Sequence, residues 1–186
     1  MMRAFLAIVL PDSISHYIWH HTESLRSVKG ISWVPPERMH LTLRFMADAS
    51  FQQMENLILK FASGISDVHT FDIEVRKLGA FPSTHRPSVI WAGIETDGEE
   101  LATIQSVAEL AAQSEGFEPD DRPFTPHVTL GRVRSAVAGK SLQPMFSRIA
   151  PLACGSISVT AVSLFSSELT RSGPTYTRLH TLELKP

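Results

Sequence analysis

Residues 37–46 read ERMHLTLRFM, and residues 124–133 read FTPHVTLGRV. Each holds a histidine and a threonine two positions apart, with an apolar residue after each: His40-Leu41-Thr42-Leu43 and His127-Val128-Thr129-Leu130. Along a strand, successive side chains point to opposite faces. His40, Thr42 and Arg44 are therefore expected on one face, and Leu41, Leu43 and Phe45 on the other, in the core. His127 and Thr129 share a face in the same way, backed by Val128 and Leu130. Each strand then fixes an imidazole beside a hydroxyl. With 8 His in 186 residues, chance supplies roughly 0.1 such apolar-backed tetrapeptides, so a pair of them is a signal. A third His-x-Thr, His20-His21-Thr22, is followed by Glu23 and lies in a helical stretch. Residues two apart on a helix do not face each other, so this one reads as helix surface.

Working outward from the first motif, residues 3–9 (RAFLAIV) are a strand. Asp12 is placed to cap a helix over 13–28, where Ile14, Ile18, Leu25 and Val28 lie near helical spacing. WVPPER (33–38) is a turn stiffened by two prolines. After the motif strand (39–46), Ser50 caps a helix with Phe51, Met54, Leu57, Ile58 and Phe61 on one face. Residues 71–78 alternate as a strand with one wet face. The second half repeats the order. It has a strand at 88–94, Asp97 as a cap, and a helical stripe of Leu101, Ile104, Ala108 and Ala111. A loop rich in Pro and Asp (118–126) leads to the second motif strand, 127–133. A weaker helix falls within 140–149, and strands at 156–165 and 175–184 close the chain. Asp12 and Asp97, Phe71 and Ile157, and His40 and His127 keep a nearly constant offset, a repeat of elements rather than of identities. The expected architecture is one α+β domain over 1–186. Its two related lobes (approximate repeats 3–80 and 88–166, with 167–186 a closing hairpin strand) each offer one motif strand to a shared cleft.

Composition bounds the function. At 43% hydrophobic and 19% charged residues, with a net charge of −2, the chain is an ordinary globular protein. Any nucleic acid must bind through a local basic patch. The single Cys154 excludes an internal disulfide framework and reads as buried and inert. No apolar run reaches the length of a membrane span. The apolar start (MMRAFLAIVLPDS) lacks a small-residue cleavage site, so no signal peptide is expected and a cytoplasmic setting is.

Two rigid histidines facing one cleft suit acid–base chemistry. Imidazole titrates near neutrality, so one can accept a proton while the other donates one. The two threonines can donate hydrogen bonds to oxygens that gain charge in a transition state. That is the set needed for in-line displacement at a phosphodiester, and a strained cyclic phosphodiester suits it best. Arg132 follows Gly131. Strict alternation would bury it, so either the strand ends there or a bulge at Gly131 re-aims it, and the arginine then either swings to a phosphate or stands on the rim. Arg44 belongs either with His40 or to a solvated strand end. FPSTHRPS (81–88) is a Pro-flanked loop whose His85 and Arg86 either meet RNA at the cleft mouth or form a solvated turn. Trp91 reads as core, Trp33 stays open between core and base stacking, and Arg134 reads as surface. ELTRSGPTY (168–176) is a hairpin turn. Paired histidines also suggest zinc, but zinc needs three or four ligands, and neither motif brings a nearby carboxylate, Cys or second His in register. A non-catalytic RNA-binding module would show a basic stripe with interleaved aromatics, which the net charge disfavours.

The paired His-apolar-Thr-apolar motifs resemble those of the two-histidine (2H) phosphoesterases. FLAIVLP, WVPPERMHLTLRFM, FPSTHRPSVIWAGI, PHVTLGRV and LFSSELTRSGPTYTRLHTLEL look like the bacterial and archaeal RNA 2',3'-cyclic phosphodiesterases, first described as 2'-5' RNA ligases. The resemblance runs over residues 3–184. It implies two pseudo-symmetric lobes, each an antiparallel sheet with helices outside, around a central cleft. It implies hydrolysis of RNA 2',3'-cyclic ends to 2'-phosphomonoesters without metal or cofactor, with reversible 2'-5' RNA ligation as a second reaction of the same site. His40 would then be the proton donor to the leaving oxygen, His127 the base toward water, and Thr42 and Thr129 the phosphate ligands. The implied partners are RNA or tRNA fragments with 2',3'-cyclic ends, and the chain is expected to act as a monomer without a membrane. The remaining alternatives are a binding module and a 2H phosphoesterase for another small cyclic nucleotide.

Overall fold

A computed structural model describes residues 2–146, 148–149, 151–170 and 173–186. The strands are β1 (Met2–Val9), β2 (Ile31–Trp33), β3 (His40–Ala49), β4 (Phe71–Phe81), β5 (Val89–Glu95), β6 (His127–Val133), β7 (Ser156–Val159), β8 (Ala161–Thr170) and β9 (Gly173–Glu183). The helices are α1 (Asp12–His21), α2 (Phe51–Gly64), α3 (Glu100–Ser114) and α4 (Ala136–Phe146). The strands join one curled sheet in the order β7-β4-β5-β6-β3-β1-β8-β9, with β2 beside β6. Every ladder in it is antiparallel. The α+β class expected from the sequence holds.

The two motif strands meet in the middle of this sheet, with Leu41 paired to Val128. To either side, each half pairs a strand of the other. β4 of the first half pairs β5 of the second, and β8 of the second pairs β1 of the first. The expected strand over 156–165 is in fact two. β7 pairs β4 and β8 pairs β1, on opposite sides of the motif strands. Apolar phase records the break: Ile157 and Val159 are buried before it, Val162 and Leu164 after it.

One hydrophobic cluster underlies the whole sheet. Leu41, Leu43, Val128 and Leu130 enter it from the motif strands. α2 adds Met54, Leu57, Ile58 and Phe61, whereas Phe51 is left exposed. α3 adds Leu101, Ile104, Ala108 and Ala111, as its spacing predicts. Ser50 caps α2 as expected, in a reciprocal pair with Gln53. The other caps differ. Asp12 lies in the first turn of α1 behind Pro11, and α3 starts from Glu99 rather than Asp97. α1 stops at His21, and a separate 3-10 turn covers Glu23–Ser27. α4 starts earlier than the helix expected within 140–149, of which Ser147 and Ala150 lie outside the described residues. Residues 171–172 of the expected hairpin turn also lie outside them.

Both motif strands carry a bulge at the fourth motif position. β1 pairs Ala7 with Thr42 and Leu6 with Arg44, so Leu43 is the extra residue. β5 pairs Trp91 with Thr129 and Ile90 with Gly131, so Leu130 is the extra residue. An extra residue reverses the alternation beyond it. Phe45 therefore turns toward the cleft, and Arg44 turns inward to only 6% exposure. This corrects the shared face expected for Arg44 and His40. Arg44 Nε lies 2.8 Å from Glu109 Oε2 on α3, an ionic contact out of line for a hydrogen bond. Its Nη2 donates to the Glu118 carbonyl and its Nη1 lies 3.4 Å from Asp120. The loop leading into the second motif is thus tied to the strand of the first. Removing one partner of a buried pair strands the other's charge. Arg44→Ala is expected to lower unfolding stability by about 3 kcal/mol, measured by urea denaturation, and Arg44→Ala/Glu109→Leu should recover part of that loss.

Candidate active site

Continuing the Leu41–Val128 register by one residue each way sets His40 across from Thr129 and Thr42 across from His127. Directly opposed residues of an antiparallel pair share a face. Leu41 and Val128 are both fully buried, so the four polar residues project together from the other side. The histidines lie on one diagonal and the threonines on the other.

Each histidine is fixed in the same way. His40 Nδ1 lies 2.8 Å from the carbonyl of Arg38, and His127 Nδ1 lies 2.7 Å from the carbonyl of Thr125. A carbonyl only accepts, so Nδ1 carries the proton in both rings and Nε2 is left for exchange. Aromatic rings hold the imidazoles. Phe5 stacks on His40 at 4.7 Å, and Tyr176 meets its edge at 5.4 Å. Phe81 stands edge-on to His127 at 5.0 Å, beside Trp91. This burial pushes both histidines below the ordinary imidazole range, against the backbone hydrogen bonds that raise them. A charge on His127 further lowers His40, and Arg132 further lowers His127. Repulsion between the two imidazoles therefore favours a pair holding one proton over a pair holding two.

A cavity of about 790 Å³ opens over this face. His40, Thr42, Thr129 and Arg132 line it. His127 is not among its lining residues, and its hydrogen bond to Thr125 is exposed. The bulge foreseen at Gly131 falls at Leu130 beside it and leaves Arg132 exposed toward the cavity. A Cβ on Gly131 would lie 2.8 Å from the Trp33 ring, so any larger residue there would push that indole aside. Trp33, left open by the sequence, lines the cavity, and Trp91, expected in the core, is instead half-buried over Gly79 beside His127. Arg134, read as surface, also reaches the cavity and donates from Nε to Ser32 at 2.9 Å. His85 and Arg86 lie elsewhere, in a second pocket.

Sequence reading missed Tyr176, Phe5, Phe45 and Arg38. Tyr176 sits where the expected hairpin turn meets the expected strand 175–184, with no site role read for it, and burial raises its phenol pKa, so it remains a hydrogen-bond donor. The one usable signal was its place on a strand paired through β8 to β1, and pairing partners are not written in a single sequence. Cys154 is half-buried, and burial pushes its thiol up to about 11. Among the described residues no three His, Cys, Asp or Glu side chains converge on a point that could hold a metal, and no helix is long and apolar enough to cross a membrane.

This arrangement provides two proton-exchanging nitrogens and two hydroxyls on one face. The LigT-like phosphoesterase family matches residues 14–91 and 94–176, and the chain belongs to that family. The chain is 30% identical to the RNA 2',3'-cyclic phosphodiesterase of Methanothermobacter thermautotrophicus, over 98% of this chain and 99% of that one. It is 35% identical to the enzyme of that name from Aeropyrum pernix, over 79% and 82%. The crystal structure of E. coli LigT complexed with 3'-AMP superimposes with a TM-score of 0.82 at 27% identity, covering 100% of this chain and 98% of that one.

The depressed histidine pKa values make a test of the geometry alone. A buried neutral imidazole contributes stability that is full above the unfolded pKa, about 6.5, and is lost as pH falls through the folded value. NMR titration should show His40 and His127 both titrating below that value, and His127→Gln should move His40 upward.

Proposed function

We propose that the chain hydrolyses 2',3'-cyclic phosphate ends of RNA to 2'-phosphomonoesters by metal-independent catalysis through His40 and His127. The observation that carries the reading is the matched pair of imidazoles, each locked as the Nδ1–H tautomer, set diagonally across one strand pair with a threonine beside each. The names of the relatives supply the substrate. In the proposed step, water attacks phosphorus in line with the bond to O3'. One imidazole takes the water proton, the P–O3' bond breaks, and the other imidazole delivers a proton to O3'. The hydroxyls of Thr42 and Thr129 and the guanidinium of Arg132 hold the non-bridging oxygens as charge grows on them.

Access favours His40 as the acid and His127 as the base. The leaving O3' belongs to a ribose that needs the cavity, which His40 lines. The incoming water needs only solvent, and the His127 side is the exposed one. A 5'-hydroxyl attacking in place of water would form a 2'-5' linkage with each histidine in the same role, and by microscopic reversibility the roles exchange when O3' attacks that linkage and the 5'-hydroxyl leaves.

The test is an RNA oligonucleotide ending in a 2',3'-cyclic phosphate, incubated with EDTA. Wild type should release the 2'-phosphate, and His40→Ala and His127→Ala should each lose about 1,000-fold or more in kcat. Thr42→Val or Thr129→Val should lose about 100-fold. Loss of wild-type turnover in EDTA, or full activity in either histidine variant, overturns the mechanism. The pH profile gives a second check. The active free enzyme holds one proton on the pair, and both pKa values are depressed, so kcat/KM should peak below about pH 6.5 and fall as the acid deprotonates. A plateau extending to pH 9 would contradict it.

A further inference from the structure

The loop at 82–88, the end of β6 and the start of α4 enclose a second pocket of about 400 Å³. Arg86, Arg134, Lys140 and His85 line it, together with Ser88 and Ser135. Arg134 also lines the active-site cavity, so the two concavities adjoin through one side chain. Six of the chain's 17 Lys and Arg line the two cavities: Arg3, Arg38, Arg86, Arg132, Arg134 and Lys140. None of its 19 Asp and Glu lines either one. Among the described residues, none of these six cations is in an ion pair with a carboxylate, whereas Arg44, Lys60, Arg76, Lys77 and Lys185 each are. In a protein of net charge −2, a continuous stretch of uncompensated positive charge marks an anion path.

We propose that this second pocket binds a backbone phosphodiester of the RNA on the 5' side of the cyclic end, making the enzyme selective for oligonucleotides over cyclic mononucleotides. The inference rests on the proposed hydrolase reading. Its polarity follows from chemistry. The cyclic phosphate is the 3' terminus, so every other phosphate of the substrate lies 5' to it. Arg134, between the two pockets, is the side chain the chain must pass. Arg86 and Lys140, exposed and remote from the histidines, act only on the extended substrate.

The experiment compares Arg86→Ala/Lys140→Ala with wild type on a nucleoside 2',3'-cyclic phosphate and on a hexanucleotide ending in the same group. The variant should raise KM for the hexanucleotide about tenfold, as loss of charge-assisted phosphate contacts does. It should leave kcat alone, flatten the salt dependence of KM, and leave kcat/KM on the mononucleotide unchanged. A dinucleotide carrying a 5'-phosphate separates a terminal phosphate from an internal diester. Equal losses on both substrates, or no change on either, overturn the proposal. A wild type that turns over neither substrate overturns the hydrolase reading instead. The pocket is then judged by fluorescence anisotropy of a labelled hexanucleotide ending in a 2'-phosphate, where unchanged affinity in the double variant rejects it.

Discussion

The pairing of Leu41 with Val128 is the contact on which the rest of the site depends. Neither side chain sees solvent, and together they seat the motif strands against each other at the centre of the sheet. Because opposed residues in an antiparallel pair share a face, burying these two forces His40, Thr42, His127 and Thr129 outward together. No loop has to close and no domain has to hinge to assemble the four groups. A slip of one residue in this short register would turn one histidine into the core. The apolar positions of the two tetrapeptides therefore specify the site as firmly as the polar ones.

The paired bulges show how the same strand serves two needs. Before the bulge, alternation gives histidine and threonine to the cleft and leucine or valine to the core. After it, the phase reverses, so the next residue goes inward and the one after it faces the cleft. In β3 the inward residue is Arg44, which reaches α3 and the loop before the second motif. In β6 it is Gly131, whose missing side chain makes room for Trp33. The residues re-aimed to the cleft are Phe45 and Arg132. One device thus places a ring on one side of the site and a cation on the other.

The parts legible in the sequence were those set by local period. The motif faces as far as Thr42 and Thr129, the α3 stripe and the Ser50 cap all follow from repeats or spacings within about a dozen residues. Arg44 was not legible. RFM keeps a plausible alternation, and the glutamate that draws the arginine inward lies on another helix. Gly131 gave a hint of the second bulge that Leu43 could not give for the first. The split of 156–165 left a trace, a slip in apolar phase after Val159, which a reading by composition passes over. β2 left none. Its three residues abut a proline turn, and its pairing with β6 sets Trp33 against Gly131, a partner not visible in a single sequence.

The strand exchange between halves follows from the same central pair. With β3 and β6 adjacent, each half's remaining strands find their free edges beside the other half: β4 against β5, β8 against β1. The rings that hold each histidine are recruited across that exchange. Phe5 comes from β1 beside the motif strand, and Tyr176 from β9 beyond it. Phe81 comes from β4, which reaches His127 only because β4 crosses to pair β5. Each imidazole is thus desolvated by both halves of the chain. The tuning of the acid–base pair cannot be separated from the topology, and it would be lost if either half folded on its own strands alone.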